Sequence, residues 1–335
     1  MMMMKKPFAL LMAVVMMMGL LAGCGKTETP KSEQKPQAIK EKQEVHIGYQ
    51  TASAIIMLAK LKGWYDEEFA KVGVTVKYDF FLSGPPLIEA MSSQRVDFGT
   101  VGDMPPVSAR AAGIDLKVIS RSGVVPAANA LLVRPDAGFS SVQELKGKKI
   151  AVQIGSSAHH FLVLLLQKNG LKTTDVNVVN LPVSDHQKAL ESKNIDAVSS
   201  WEPWVALLEK SKAGKVLVDS IGIKRSLSVY IVNNEFAIKN PDLVERFLKV
   251  NQRATEYIKQ HPDEVLELVA KDAKIPKDVL AKSFLATDWD PRISNEDVDG
   301  FRAVKDFLKE TNVIKKDFDV NELIDRRYLK NIGIQ

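Results

Sequence analysis

Cysteine is almost missing from this chain: among 335 residues there is one, Cys24. A lone thiol permits no disulfide framework and no cysteine metal site. Also missing are the short patterns that carry enzymatic chemistry, since no G-x-S-x-G, H-E-x-x-H or phosphate-loop run occurs. His159 and His160 are adjacent, and neighbouring helix positions do not share a face, so they are no metal pair. His46, His186 and His261 read as surface or capping residues, and His159 is kept as a candidate ligand donor. No catalytic residue, cofactor or metal is called for.

A strong charge of one sign is lacking too. The formal net charge of +5 falls by two, to +3, once Lys5 and Lys6 leave with the leader described below. So weak and dispersed a charge does not suit a nucleic-acid partner, and no RNP, zinc-finger or basic-helix pattern appears. The apolar and charged fractions, 45% and 26%, are those of an ordinary globular chain. Its length fits two domains, or two lobes of one binding unit.

Residues 8–21 form an apolar run behind Lys5 and Lys6. It is too short and glycine-broken for a membrane span but is the right length for a signal-peptide core. It ends in Leu21-Ala22-Gly23-Cys24, which resembles the lipobox of bacterial lipoproteins. There small residues let the processing peptidase reach the bond before the cysteine, whose thiol carries diacylglycerol. Residues 1–23 thus read as a lipoprotein signal peptide, the other reading being an ordinary secretory peptide with an incidental cysteine. Residues 24–44 hold the lipidated Cys24 and a stretch rich in Lys, Glu, Pro, Gln and Thr with no aromatic residue, which cannot bury enough surface to fold. As a flexible tether of about 20 residues it reaches roughly 25 Å. A lipid anchors without spanning, so an extracytoplasmic, membrane-tethered protein is expected.

From Val45 onward strand-like and helix-like runs alternate: strands at 45–50, 74–81, 98–101 and 116–120, with helices between them. A second such series follows, with strands at 130–133, 149–154, 176–181, 197–200, 215–219 and 228–232, and the chain from Asp242 onward is helical. This alternation predicts an α/β fold with mixed, mostly parallel sheets in two lobes and a cleft between them. Lobe 1 is drawn from residues 45–127 and 229–335, lobe 2 from 128–228, with crossings near 124–131 and 224–231.

In open α/β sheets ligands bind beyond the carboxyl ends of the strands. Four strand-to-helix turns here are rich in Gly, Ser, Thr or Pro: Gln50-Thr51-Ala52-Ser53, Ser83-Gly84-Pro85, Gly102-Asp103 and Gly155-Ser156-Ser157. Helix starts offer free N–H groups and a favourable dipole to an anion. Together the turns can line one cleft with N–H and O–H donors and no fixed cation. Two readings stand: an anion site, or turns merely punctuated by Gly and Pro, with Ser157 as an N-cap. Trp201-Glu202-Pro203-Trp204 is equally open. Trp201 can cover the non-ionic part of a ligand and Glu202 can meet a cation or hydroxyl, or both can be core and helix-start residues. Asp103 repels an anion unless neighbouring donors or an amine satisfy it.

The runs Ile47-Gly48-Tyr49-Gln50, Phe81-Leu82-Ser83-Gly84-Pro85, Asp97-Phe98-Gly99 through Gly102-Asp103-Met104-Pro105-Pro106, Leu145 to Ala151 through Gly155-Ser156-Ser157-Ala158-His159, and Asp196-Ala197 with Trp201-Glu202-Pro203 resemble, in order and spacing, the sulfonate, nitrate and taurine class of periplasmic solute-binding proteins of ABC importers. Aliphatic sulfonate binders are the most similar. The resemblance implies a type II periplasmic-binding-protein fold that closes on its ligand and docks on a permease with its ATPase, serving sulfur uptake. It also implies a monomer, a small organic anion such as an alkanesulfonate as ligand, and a site at Gln50, Ser83, Gly84, Gly102, Asp103, Ser156, Ser157, His159, Trp201 and Glu202. Glu202 departs from the usual aspartate of sulfonate and taurine binders. Taurine, nitrate or a thiamin-precursor pyrimidine are the alternative ligands, and an enzyme on the same fold is the rival class.

Overall fold

The computed structural model describes residues 43–51, 53–311, 314 and 317–335. The leader, Cys24 and nearly all of the tether lie outside the described residues. The elements are β1 (Glu44–Tyr49), α1 (Ala54–Leu61), α2 (Trp64–Ala70), β2 (Thr75–Phe80), α3 (Gly84–Ser92), β3 (Phe98–Gly102), α4 (Met104–Ala111), β4 (Leu116–Val124) and β5 (Asn129–Val133). Next come β6 (Lys149–Val152), α5 (Ser157–Lys168), β7 (Asn177–Asn180), α6 (His186–Glu191), β8 (Ala197–Trp201), α7 (Trp204–Lys210), β9 (Lys215–Asp219) and β10 (Leu227–Asn233). Helices α8 (Asn234–Lys239), α9 (Pro241–Gln260), α10 (Pro262–Ala273), α11 (Lys277–Phe284), α12 (Asn295–Glu310) and α13 (Arg327–Asn331) complete the chain.

Two five-stranded sheets result, ordered β2-β1-β3-β10-β4 and β7-β6-β8-β5-β9. In the first, β1 pairs in parallel with β2 and β3, while β10 is antiparallel to β3 and β4. Four strands therefore share one direction and β10 alone opposes them. The second repeats the pattern: β6 is parallel to β7 and β8, and β5 is antiparallel to β8 and β9. In each sheet the reversed strand is the one the chain lays down directly after crossing, at residues 125–128 and 220–226. These are the α/β fold and mixed, mostly parallel sheets read from the sequence.

Apolar runs explain the layering. Every residue of β5 is buried, as expected of a strand covered on both faces. The long α9 turns Leu243, Phe247, Val250, Ala254 and Ile258 inward at helical spacing, and Phe247 stacks on Phe98 of β3 at 4.3 Å. Helices α3, α4 and α12 cover the other face of the first sheet. Helix α5 covers the second sheet with Phe161, Leu162, Leu165 and Leu166, yet sends Val163 into the core of the first.

Between β1 and β2 the helical stretch is split into α1 and α2, because Gly63 turns the chain at φ 69°. Helix α8, ahead of the helical stretch expected from Asp242, is six residues long and too short for a periodic signal. His186 is not a surface residue: it is buried, capping the end of the short 3-10 turn at residues 183–185, with Nε2 3.2 Å from the Leu181 carbonyl. Burial lowers its pKa to about 4.

Candidate functional site

Between the two sheets, at the carboxyl ends of β1, β3 and β8 and the start of α5, lies a cavity of about 140 Å³. It exists where it does because the strands end together and the turns after them are built of small residues. Gln50, Gly84, Gly102, Ser156, Ser157, Trp201 and Glu202 all line it, so two turns from the first sheet and two from the second do converge with the α3 start. Gly102 is the closest approach: a Cβ built there collides with Ser157 Oγ, so any side chain at this position has to displace that hydroxyl.

Three expected site residues do not line the cavity. Ser83 is 1% exposed and its Oγ accepts a hydrogen bond from Gln153 Nε2 at 2.6 Å, across the gap between the sheets. His159 packs edge-on against Phe307 of α12, with ring centroids 5.7 Å apart. Its burial, with His160 beside it, lowers its pKa to about 4 and keeps it neutral at physiological pH. Asp103 lies one layer behind the wall, its carboxylate held by Lys224 and Ser157, which do line the cavity.

The pairing of Asp103 with Lys224 was not foreseen. Lys224, in the second crossing, lines the cavity with its side chain 2% exposed and Nζ 2.7 Å from Asp103 Oδ2. The expectation of no fixed cation is thus wrong as to the residue, although the cation is already neutralised. Asp103 Oδ1 accepts from Ser157 Oγ at 2.6 Å and from the Met104 N–H at 3.0 Å. Burial alone raises the Asp103 pKa, but Lys224, with His160 next to it, outweighs this and holds the carboxyl well below the usual range. The cluster joins the first sheet (Asp103), α5 (Ser157, His160) and a crossing (Lys224). Lys224 carries no periodicity or turn signature, so only its position in a predicted crossing could have flagged it.

The hydroxyls are engaged before any ligand arrives. Ser156 is the N-cap of α5, accepting weakly from the His159 N–H at 3.3 Å, and its Oγ donates to the Gln153 carbonyl at 2.7 Å. The capping role expected of Ser157 therefore belongs to Ser156, and Ser157 instead bridges to Asp103. Helix α5 begins at the cavity wall, where first-turn N–H groups have no intrahelical acceptor.

On the opposite side Glu202 is buried, accepting from the Ala206 N–H through Oε2 at 3.1 Å. Its Oε1 has no hydrogen-bond donor, with Lys282 Nζ 3.3 Å away as an ion-pair partner only. Burial raises the Glu202 pKa against the pull of Lys282. Trp204, Trp289, Phe284 and Thr287 complete this side; the last three come from the C-terminal part of the chain and were not read as site residues. Among the described residues no group of three or more His, Cys, Asp or Glu is placed to hold a metal ion.

A family profile described as NMT1/THI5 like matches residues 50–265. A Bacillus subtilis protein named as a candidate aliphatic sulfonates-binding protein is 35% identical over 98% of this chain and 96% of its own length. An Escherichia coli protein of the same designation is 30% identical over 75% of this chain and 76% of its own. Among solved structures, the alkanesulfonate-binding protein of Xanthomonas axonopodis pv. citri bound to MOPS superposes with a TM-score of 0.78 at 25% identity, covering 84% of this chain and 98% of that one.

Proposed function

The chain belongs to the NMT1/THI5-like family, and from that premise we propose that it is the extracytoplasmic solute-binding component of an ABC importer, capturing aliphatic sulfonates for delivery to a permease and its ATPase. The observation that carries this reading is the cavity between the sheets, lined from both sides by small turn residues and a helix start, with its one buried cation already paired. Neutral donors and a neutralised lysine suit a singly charged oxyanion, and the aromatic side suits an organic tail. Under this reading Gln50, Gly84, Gly102, Ser156, Ser157, Trp201 and Glu202 contact the ligand. Ser83, Asp103 and His159 support the wall behind them. Residues 45–127 with 229–335 and residues 128–228 act as lobes that close because the ligand meets both sets of contacts only when they are together. Cys24 carries the lipid anchor, and the protein works as a monomer.

Calorimetric titration against ethanesulfonate, longer alkanesulfonates, taurine and nitrate tests the proposal. Micromolar or tighter binding of alkanesulfonates over nitrate is expected, and Ser156→Ala with Ser157→Ala is expected to weaken it about tenfold, roughly the loss of one charge-assisted hydrogen bond. Unchanged affinity in that double variant overturns the site assignment. Glu202 Oε1, which has Lys282 as an ion-pair partner but accepts no hydrogen bond, favours a second reading, a ligand bearing an amine or hydroxyl, such as taurine or a pyrimidine. Preference for taurine over ethanesulfonate in the same titration decides for it.

A further inference from the structure

The C-terminal wall of the cavity is built with more care than a loop between helices requires. Between α11 and α12 residues 287–291 run along the free edge of β4. The Val124 N–H donates to the Asp288 carbonyl at 3.1 Å and the Asp288 N–H returns to the Val124 carbonyl at 2.9 Å. The Arg121 N–H and Ser120 Oγ both donate to the Pro291 carbonyl, at 3.0 and 2.9 Å. Gly123 makes room for this strap, since a Cβ there lies 2.7 Å from Thr287 Cγ2.

Arg121 fastens it. Its side chain is 4% exposed, its Nε donates to the Asp290 carbonyl at 2.5 Å, and its guanidinium lies 2.7 Å from Asp288 and 3.7 Å from Asp290 and Asp297. Asp288 and Asp290 flank Trp289, so the fork that grips both neighbours sets where the indole goes. That indole packs on Phe284 with centroids 5.5 Å apart and lines the cavity. Of the chain's four tryptophans, three, Trp201, Trp204 and Trp289, line this one space. A wall so rich in indole is poorly matched to a ligand that is all head group.

We propose that Trp289 is a specificity-determining residue, positioned by Arg121 through the strap, and that it selects sulfonates with a bulky apolar tail, long alkyl or aryl, over short ones. This inference rests on the sulfonate reading above; Trp289 lies beyond residue 265, where the family profile does not match, and Arg121 within the matched residues.

The test is titration of the whole protein with ethanesulfonate, hexanesulfonate and benzenesulfonate. Wild type is expected to bind the two bulkier ligands at least about tenfold more tightly than ethanesulfonate, and Trp289→Ala is expected to reduce that ratio to about threefold or less. Trp289→Phe should keep most of the preference for benzenesulfonate. Arg121→Met should lose the ratio as Trp289→Ala does, with no further loss in the double variant; if it fails to fold, the Trp289 variants decide alone. A wild type that binds ethanesulfonate without preferring larger tails, or a Trp289→Ala protein with the wild-type ratio, overturns this inference and leaves the sulfonate reading standing. Silence of the wild type toward all three overturns both.

Discussion

Replacing Asp103 with asparagine keeps the shape of the side chain and removes its charge. Lys224 Nζ, with its side chain 2% exposed, then loses its ion-pair partner at 2.7 Å and keeps only neutral acceptors, the new amide oxygen and the Arg225 carbonyl at 3.3 Å. Removing one partner of a buried pair costs about 3–5 kcal/mol, because the remaining charge is stranded away from water. At the sensitivity of a large domain, roughly 2–4 °C per kcal/mol, the melting temperature should fall by about 6 °C or more. Lys224→Met alone should also destabilise, by stranding the carboxylate with only Ser157 and the Met104 N–H as donors. The double variant, with both charges gone, should lose less than the sum of the two single losses, by a coupling of at least about 1 kcal/mol. Chemical denaturation of the four proteins of this cycle measures it. The pH course has a fixed sign: a depressed folded-state pKa means that the Asp103 contribution is present above the ordinary carboxylate value and is lost as pH falls below it. Single losses under 1 kcal/mol that simply add would refute the argument, for they would mean that the pair is open to water in solution.

Gly102→Ala should weaken ligand binding by about tenfold or more, because the new methyl forces Ser157 Oγ out of its bond to Asp103. Adding Ser157→Ala removes the clashing atom, so the double variant should bind better than Gly102→Ala if steric exclusion is the cause; titration of both compares them. His186 gives a second pH effect, remote from the cavity. It titrates near 6.5 unfolded and near 4 folded, so the unfolded state binds the proton first and stability falls between those values. Between pH 7 and 5 this loss should be roughly 2 kcal/mol, and His186→Gln should remove it from the pH dependence of urea midpoints, while equal slopes in both proteins would contradict it.

How much of this was legible depended on whether the signal was local. The turns after β1, β2, β3, β6 and β8 announce themselves through Gly, Ser and Pro at strand ends, and the rule that ligands sit at such ends was enough to bring seven residues to one cavity. Ser83, Asp103 and His159 sit in or beside the same turns, but whether a side chain faces the cavity or the wall behind it is set by tertiary partners: Gln153, Lys224 and Phe307. Lys224 and Trp289 were beyond reach for another reason. They enter from a crossing and from the C-terminal helices, far along the chain, and no periodicity links them to the turns they meet. Trp289 between two aspartates in a gap between helices was the one visible clue, and its meaning required Arg121 on β4.

The placement of β10 has a bearing on the order in which the molecule is made. It fills the slot between β3 and β4, so those strands have no ladder to share until residues 227–233 arrive, about 100 positions after β4 ends. At typical synthesis rates that is a wait on the order of 5–20 s, during which two strand edges stand unpaired and sticky. The second sheet has a shorter gap of the same kind, since β8 fills the slot between β6 and β5 and all of the sheet's strands lie between residues 129 and 219. The half of the molecule that is begun first is the half that is finished last.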